Sequence, residues 1–170
     1  MLQEKRVILR AMEPEDVEVL YRWENDPEVW DITGTIAPVS RFDLEQYVMN
    51  SKDFYGSKQM RLMIVEKKQG KSIGSIDIFN FSPRHLRAEI GIIIIREFRR
   101  KGLGKESLLL TLRYAKERLG LHQVYCHIHA GNKSSIELFK NAGFHFVGRK
   151  KDWVKEAGSW KDVLLYQMLL

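Results

Sequence analysis

The sequence predicts a mixed α/β (α+β) fold on a partly antiparallel sheet, and three observations carry that prediction. Ile92 to Ile95 form a β-branched run of strand length, and helical spacing resumes downstream at Leu108, Leu112, Ala115 and Leu119. Two strand-like segments, residues 61–66 and 72–80, are joined through Gly70-Lys71 as in a hairpin. Strands and helices follow no regular alternation, which argues against a doubly wound sheet.

In chain order, Arg6 to Ala11 alternates weakly and reads as the first strand. Pro14 opens a helix where no N–H is needed, and Val17, Leu20 and Tyr21 give it an apolar face. Asn25-Asp26-Pro27 stops it, and residues 24–40 read as a loop punctuated by Pro27, Gly34 and Pro38. Ser40 caps a second helix carrying Phe42, Leu44, Tyr47 and Val48. After the hairpin, Ser82 to His85 turns the chain into the central strand. Its isoleucine run reads as buried on both faces. The long helix that follows ends near Gly120. Val124 to His129 is a strand. Asn132 caps a short helix with Ile136, Phe139 and Ala142, and Gly143 ends it. Phe144, Phe146 and Val147 begin a strand, and Trp160 to Leu169 returns past Gly158 as the last one. No repeat, linker or low-complexity tract divides the chain, so residues 1–170 read as a single domain.

The net charge of +6 suits either an anionic ligand or a solvated basic surface. Basic residues form no stripe interleaved with aromatics, so nucleic acid is not the expected partner. The single cysteine, Cys126, excludes an intrachain disulfide and fits a reducing, cytoplasmic setting. The N-terminus lacks a signal-peptide core, and no apolar run approaches the ~20 residues of a membrane span, so no membrane partner is expected.

Between the central strand and the long helix lies Arg99-Arg100-Lys101-Gly102-Leu103-Gly104-Lys105. Glycines let the backbone come close to a ligand, and a helix start offers unpaired N–H groups and the positive end of its dipole. With four basic side chains around it, this reads either as a cradle for phosphate or as a strand-to-helix connection with solvated charges. A Walker loop needs a hydroxyl where Glu106 stands, and a dinucleotide fingerprint needs glycine where Ser107 stands.

Arg99-x-x-Gly102-x-Gly104 resembles the acetyl-CoA loop of the GNAT acetyltransferase superfamily, written Q/R-x-x-G-x-G/A. Downstream, residues 132–144 (NKSSIELFKNAGF) are similar to the superfamily's N-x-x-[SA]-x-x-x-[YF]-x-x-x-G-F segment. Residues 21–28 (YRWENDPE) and 85–89 (HLRAE) look like the branch holding ribosomal-protein N-terminal and spermidine acetyltransferases. The resemblance covers essentially the whole chain. It implies an N-acetyltransferase with a strongly twisted sheet flanked by helices, splayed centrally to admit acetyl-CoA. The backbone of Ile92, Ile93 and Ile94 would pair with the pantetheine arm. N–H groups of Arg100, Lys101, Gly102, Leu103, Gly104 and Lys105 would hold the pyrophosphate, with Arg99 heading the loop. Asn132, Ser135 and Phe139 would approach the cofactor from the second motif. The implied partners are a small-molecule amine, polyamine-like or otherwise, or a peptide N-terminus, and a second copy of the chain in a homodimer or higher homo-oligomer.

An alkyl ammonium, with a pKa near ~10, must lose a proton before its nitrogen attacks a thioester. Glu89 opens the central strand beside the implied cleft, where the family commonly has a carboxylate base, often acting through water; the other reading is a surface carboxylate at a strand end, paired with Arg87 or Arg84. The backbone N–H near Ile92 is the candidate donor to the oxyanion. The family's usual tyrosine acid is replaced by Phe139, which has no proton to give. That leaves three readings: water protonates the thiolate; Ser134, Ser135, Tyr125 or Tyr166 does; or the protein binds acyl-CoA with little activity as a regulatory module. Glu24, Asp26, Glu28 and Asp31 form an acidic patch, read either as a site for a cationic amine or as a solvated helix end, with Asp77 as a possible addition. Trp23 and Trp30 either wall the acceptor pocket or pack in the core. His127 and His129 share one strand face, but no convergent carboxylate or cysteine can be assigned beside them. They read as ordinary strand histidines, with no metal expected.

Overall fold

The structure is a computed structural model that describes residues 2–33, 35–51, 53–156 and 158–170, with the side chains of residues 31–33 outside the description. Strands β1 (Leu2–Gln3), β2 (Val7–Ala11), β3 (Met60–Glu66), β4 (Lys71–Ser82), β5 (Arg87–Ile94), β6 (Gln123–His129), β7 (His145–Glu156) and β8 (Ser159–Leu169) form one sheet. Their order is β1-β2-β3-β4-β5-β6-β8-β7. Among these neighbours only β5 and β6 run parallel, and helix α5 (Leu103–Glu117) supplies the long crossover that a parallel pair requires.

Side chains alternate across the sheet and divide the core in two. On one face Ile64, Ile76, Ile78, Ile90 and Val124 pack with Leu108, Leu112 and Ala115 of α5. On the other, Met63 packs with Leu20 of α1 (Val17–Glu24) and with Leu44 and Val48 of α3 (Arg41–Asn50). Ser40 caps α3 as expected, its Oγ accepting from the Asp43 N–H at 3.0 Å. Residues 27–33, expected as loop, form helix α2 (Pro27–Thr33). The proline that stops α1 opens α2, because its missing N–H costs nothing in a first turn. The Asp26 carboxylate accepts from the Glu28 N–H at 2.9 Å and fixes that start. The short β1 and α4 (Phe54–Ser57) carry no strong periodicity; Asp53 caps α4 by accepting from the Gly56 N–H. The last helix is α6 (Lys133–Asn141).

The isoleucine run corrects a second expectation. Ile92 to Ile95 are half-buried, whereas Ala88 and Ile90 are almost fully buried. The chain there is strand only to Ile94, and it faces a gap on one side.

Gly74 fixes how closely β4 approaches β5. A Cβ at this position would stand 2.0 Å from the Ile93 carbonyl oxygen, a backbone atom that cannot swing aside. Gly74→Ala is therefore expected to destabilise the fold by about 3 kcal/mol, read from chemical denaturation. A loss below about 1 kcal/mol would show that the two strands can part cheaply.

Candidate active site

β5 and β6 pair at three positions only, Arg87 with Gln123, Ala88 with Val124 and Glu89 with Tyr125. Beyond them β5 continues against β4 to Ile94, and β6 continues against β8 to His129. The two strands part and leave a V whose apex is Glu89. The Ile95 N–H donates to the Ile73 carbonyl at 2.9 Å, which sets the phase of the β4–β5 ladder. Alternation then turns the backbone groups of Ile93 toward Ser75 of β4 and those of Ile92 and Ile94 into the V. Ile93 is thus not available to an arm lying in the gap. The Ile94 carbonyl accepts from Arg99 Nε at 2.8 Å, leaving its N–H and both Ile92 groups facing the opening.

The basic loop closes the wide end of the V. Arg100 (φ 60°) and Gly102 (φ 78°) adopt left-handed angles, and together they turn the chain into α5. The first intrahelical bond runs from the Glu106 N–H to the Gly102 carbonyl, so the N–H groups of Leu103, Gly104 and Lys105 precede the helical ladder. A Cβ on Gly104 would meet Ile94 at 3.5 Å, Leu138 at 3.7 Å and Ile92 at 4.0 Å. Gly104 is therefore floor to the space where β5, α5 and α6 converge, and a larger side chain would fill it. Free N–H groups, left-handed turns and a glycine floor suit the phosphates and arm of a CoA molecule.

Arg6 holds this loop from behind. Its Nε donates to Glu106 Oε2 at 2.9 Å, its guanidinium donates to the Lys101 carbonyl at 2.9 Å, and its backbone N–H donates to Glu106 Oε1 at 2.6 Å. Burial pushes the Glu106 carboxyl up, but the bonds from Arg6 outweigh it and hold the group below the usual carboxylate range. Glu106, which breaks the Walker pattern, is thus a structural anchor. Arg6→Ala is expected to raise the KM for acetyl-CoA about 3–10-fold with kcat little changed, in steady-state kinetics.

Glu89 is 7% exposed. Asn80 Nδ2 donates to Glu89 Oε2 at 2.9 Å, and His127 Nδ1 lies 2.7 Å from Glu89 Oε1. Asn80 takes a left-handed angle (φ 51°) where the β4–β5 register shifts, and asparagine tolerates that conformation. Neither partner was assigned to Glu89 from the sequence; the period-2 spacing showed only that His127 shares a strand face with His129.

The acidic residues do not gather into one open patch. Glu24 and Asp77 both pair with Arg61, the latter at 2.7 Å, and all three side chains are largely buried. Burial pushes the Asp77 carboxyl up while Arg61 pulls against it. Asp26 caps α2, and Glu28 is an exposed partner of Arg96 at 3.3 Å. The Asp31 side chain lies outside the described residues. Trp30 Nε1 donates to the Glu24 carbonyl at 2.6 Å and pins α2 to α1, while Trp23 packs on the core under α1.

The second motif is a helix start. Asn132 Oδ1 accepts from the Ser135 N–H at 3.1 Å and from Ser134 Oγ at 3.0 Å, so its oxygen is spent on α6. Phe139 is 2% exposed and meets Phe144 edge-on at 5.0 Å. It is core, not a surface that faces open space. Tyr166 is buried too, with its ring against Phe146. Burial pushes the Cys126 thiol up, and its side chain is 1% exposed.

Comparison with known proteins matches this geometry to a family. The acetyltransferase (GNAT) domain matches residues 6–145. The uncharacterized N-acetyltransferase p20 of Bacillus licheniformis is 29% identical over 171 residues, covering 99% of this chain and 95% of that protein. The spermidine N(1)-acetyltransferase of Escherichia coli (strain K12) is 26% identical over 145 residues, covering 84% and 74%. In fold, the chain resembles the spermidine N-acetyltransferase of Vibrio cholerae solved with CoA and spermine, at a TM-score of 0.88 and 23% identity, covering 98% of this chain and 96% of that one. The splayed sheet, the loop and the matched segment agree, and the chain belongs to the GNAT acetyltransferase family, as an N-acetyltransferase whose acetyl donor is acetyl-CoA.

Proposed function

We infer that residues 1–170 act as one acetyltransferase domain that moves an acetyl group directly from acetyl-CoA to a primary amine. Glu89 at the apex of the V carries this reading, because it is a buried carboxylate where the backbone gap begins. Acetyl-CoA supplies the acetyl group. Ile92 and Ile94 offer backbone partners to its arm, and the Leu103, Gly104 and Lys105 N–H groups face its pyrophosphate, with Arg99, Arg100 and Lys101 adding positive charge. Ile92 N–H stabilises the oxyanion as the amine attacks. The Glu89 carboxylate drives proton removal from the amine through a water or a neighbouring side chain. The buried Cys126 thiol is no acyl acceptor, which favours direct transfer.

A small amine, polyamine-like or otherwise, is favoured over a peptide N-terminus by the spermidine acetyltransferase relatives. The ion pairs of Arg61 weigh against Glu24 and Asp77 as free anions for a polycation. A reducing, cytoplasmic setting fits the single thiol. The β7–β8 ribbon exposes Phe146, Val147, Trp153 and Trp160, which supports a homodimer or a higher homo-oligomer. Initial rates of CoA thiol release, measured over varied acetyl-CoA and amine, are expected to give converging reciprocal lines. Parallel lines, or an acetylated protein formed without amine, would overturn direct transfer.

A further inference from the structure

We propose that His127 is the group that handles the proton, taking it from the attacking nitrogen and delivering it to the departing sulfur, while Glu89 orients it. The proposal rests on the reading of the V as the site of acetyl transfer. A carboxylate can only accept, so the 2.7 Å contact between Glu89 Oε1 and His127 Nδ1 places the imidazole hydrogen on Nδ1. In the neutral imidazole Nε2 is then left with its lone pair. Asn80 holds the second carboxylate oxygen at 2.9 Å, so Glu89 is fixed at both ends and turned toward the histidine.

Position along the strands supports the same role. Glu89 is level with Tyr125 in the last β5–β6 pair, which puts His127 level with Gly91, one residue from Ile92 and beyond the point where the strands part. His127 is on the β6 face that carries Tyr125 and His129, opposite the buried Val124, Cys126 and Ile128. Its side chain is 27% exposed, whereas that of Glu89 is 10% exposed. The histidine, not the carboxylate, is the member of the pair that a ligand in the gap can reach.

Among the described residues the ionisable groups in contact with it are Glu89 from β5 and Tyr125 from its own strand, and His129 shares its strand face. Asn80 of β4 contributes a neutral amide, and the register partner on β8 is Leu165. Tyr125 meets the imidazole edge-on at 5.7 Å, and burial and the Glu89 charge push its phenol up. That makes Tyr125 a weaker acid than an ordinary tyrosine and a poor substitute for the proton donor absent at Phe139.

The step balances without another acid. The extra proton of the ammonium goes to solvent before attack. As the C–N bond forms, the proton on nitrogen moves to Nε2, giving an imidazolium paired with the Glu89 carboxylate. As the C–S bond breaks, that proton passes to sulfur. Products are the N-acetyl amine and the CoA thiol, and the imidazole ends neutral.

The test compares wild type, His127→Ala and His127→Gln in thiol release across pH, with CoA affinity measured by titration calorimetry. His127→Ala is expected to lose about 100-fold in kcat/KM, to keep its CoA affinity, to show in its pH–rate profile only the acid limb set by the substrate ammonium and to recover activity with added imidazole. His127→Gln, which keeps a hydrogen bond to Glu89, is expected to remain as slow as His127→Ala. Near-wild-type rates and pH profile in His127→Ala, with wild type active, would overturn the shuttle and leave the acetyltransferase reading standing. A wild type that binds CoA but acetylates no amine would overturn both.

Discussion

Glu89→Gln is expected to lower kcat/KM for the amine about 100-fold or more, with CoA affinity within a factor of about 2 of wild type. Glutamine keeps the length and one accepting oxygen, so one of the two donors, Asn80 or His127, keeps its acceptor and the β5–β6 junction keeps its packing. What is lost is the negative charge that favours a proton on the imidazole or draws one from the amine. The variant separates chemistry from architecture because Glu89 is buried at the apex, away from the basic loop proposed to hold the phosphates. Full activity at neutral pH in Glu89→Gln would remove Glu89 from the proton path.

Arg61→Ala is expected to lower stability by about 3 kcal/mol, a shift of roughly 6–12 °C in Tm for a chain of this size. Arg61 ties Glu24 at the end of α1 to Asp77 of β4, and its removal leaves two mostly buried carboxylates facing each other. Asp77 is already pushed up by burial, and losing Arg61 raises it further. A carboxyl whose folded value lies above its unfolded one costs stability at higher pH, so the deficit should be largest near neutrality and shrink as pH falls toward the Asp77 range. Melts at several pH values check this. A deficit independent of pH would mean that the loss is packing, not charge.

Local signals in the sequence placed the residues of the proposed site on their elements. The glycines and arginines between strand and helix marked the loop, Asn132 marked the α6 cap, and Glu89 was legible near the start of β5. Most of the misses have non-local causes. The isoleucine run was read as buried on both faces because a β-branched run looks the same beside a neighbour or beside a gap. Only the parting of β6 after Tyr125 opens it. Arg61 meets Asp77 through the β3–β4 register, across 16 residues of chain, so the acidic residues looked free. His127 meets Glu89 across 38 residues, and its spacing from His129 carried no trace of the carboxylate. Helix α2 was hidden because Pro27 both stops one helix and starts the next.

The central claim is that acetyl-CoA and an amine meet at the V and exchange an acetyl group there. The most direct measurement follows CoA thiol and acetylated amine in the same reaction, over a panel from simple alkyl amines through polyamines to peptide N-termini. Equal amounts of both products are expected for at least one small amine, with the loss of both in Glu89→Gln. Tight CoA binding with no acetylated product from any amine or peptide would contradict it and leave an acyl-CoA-binding protein.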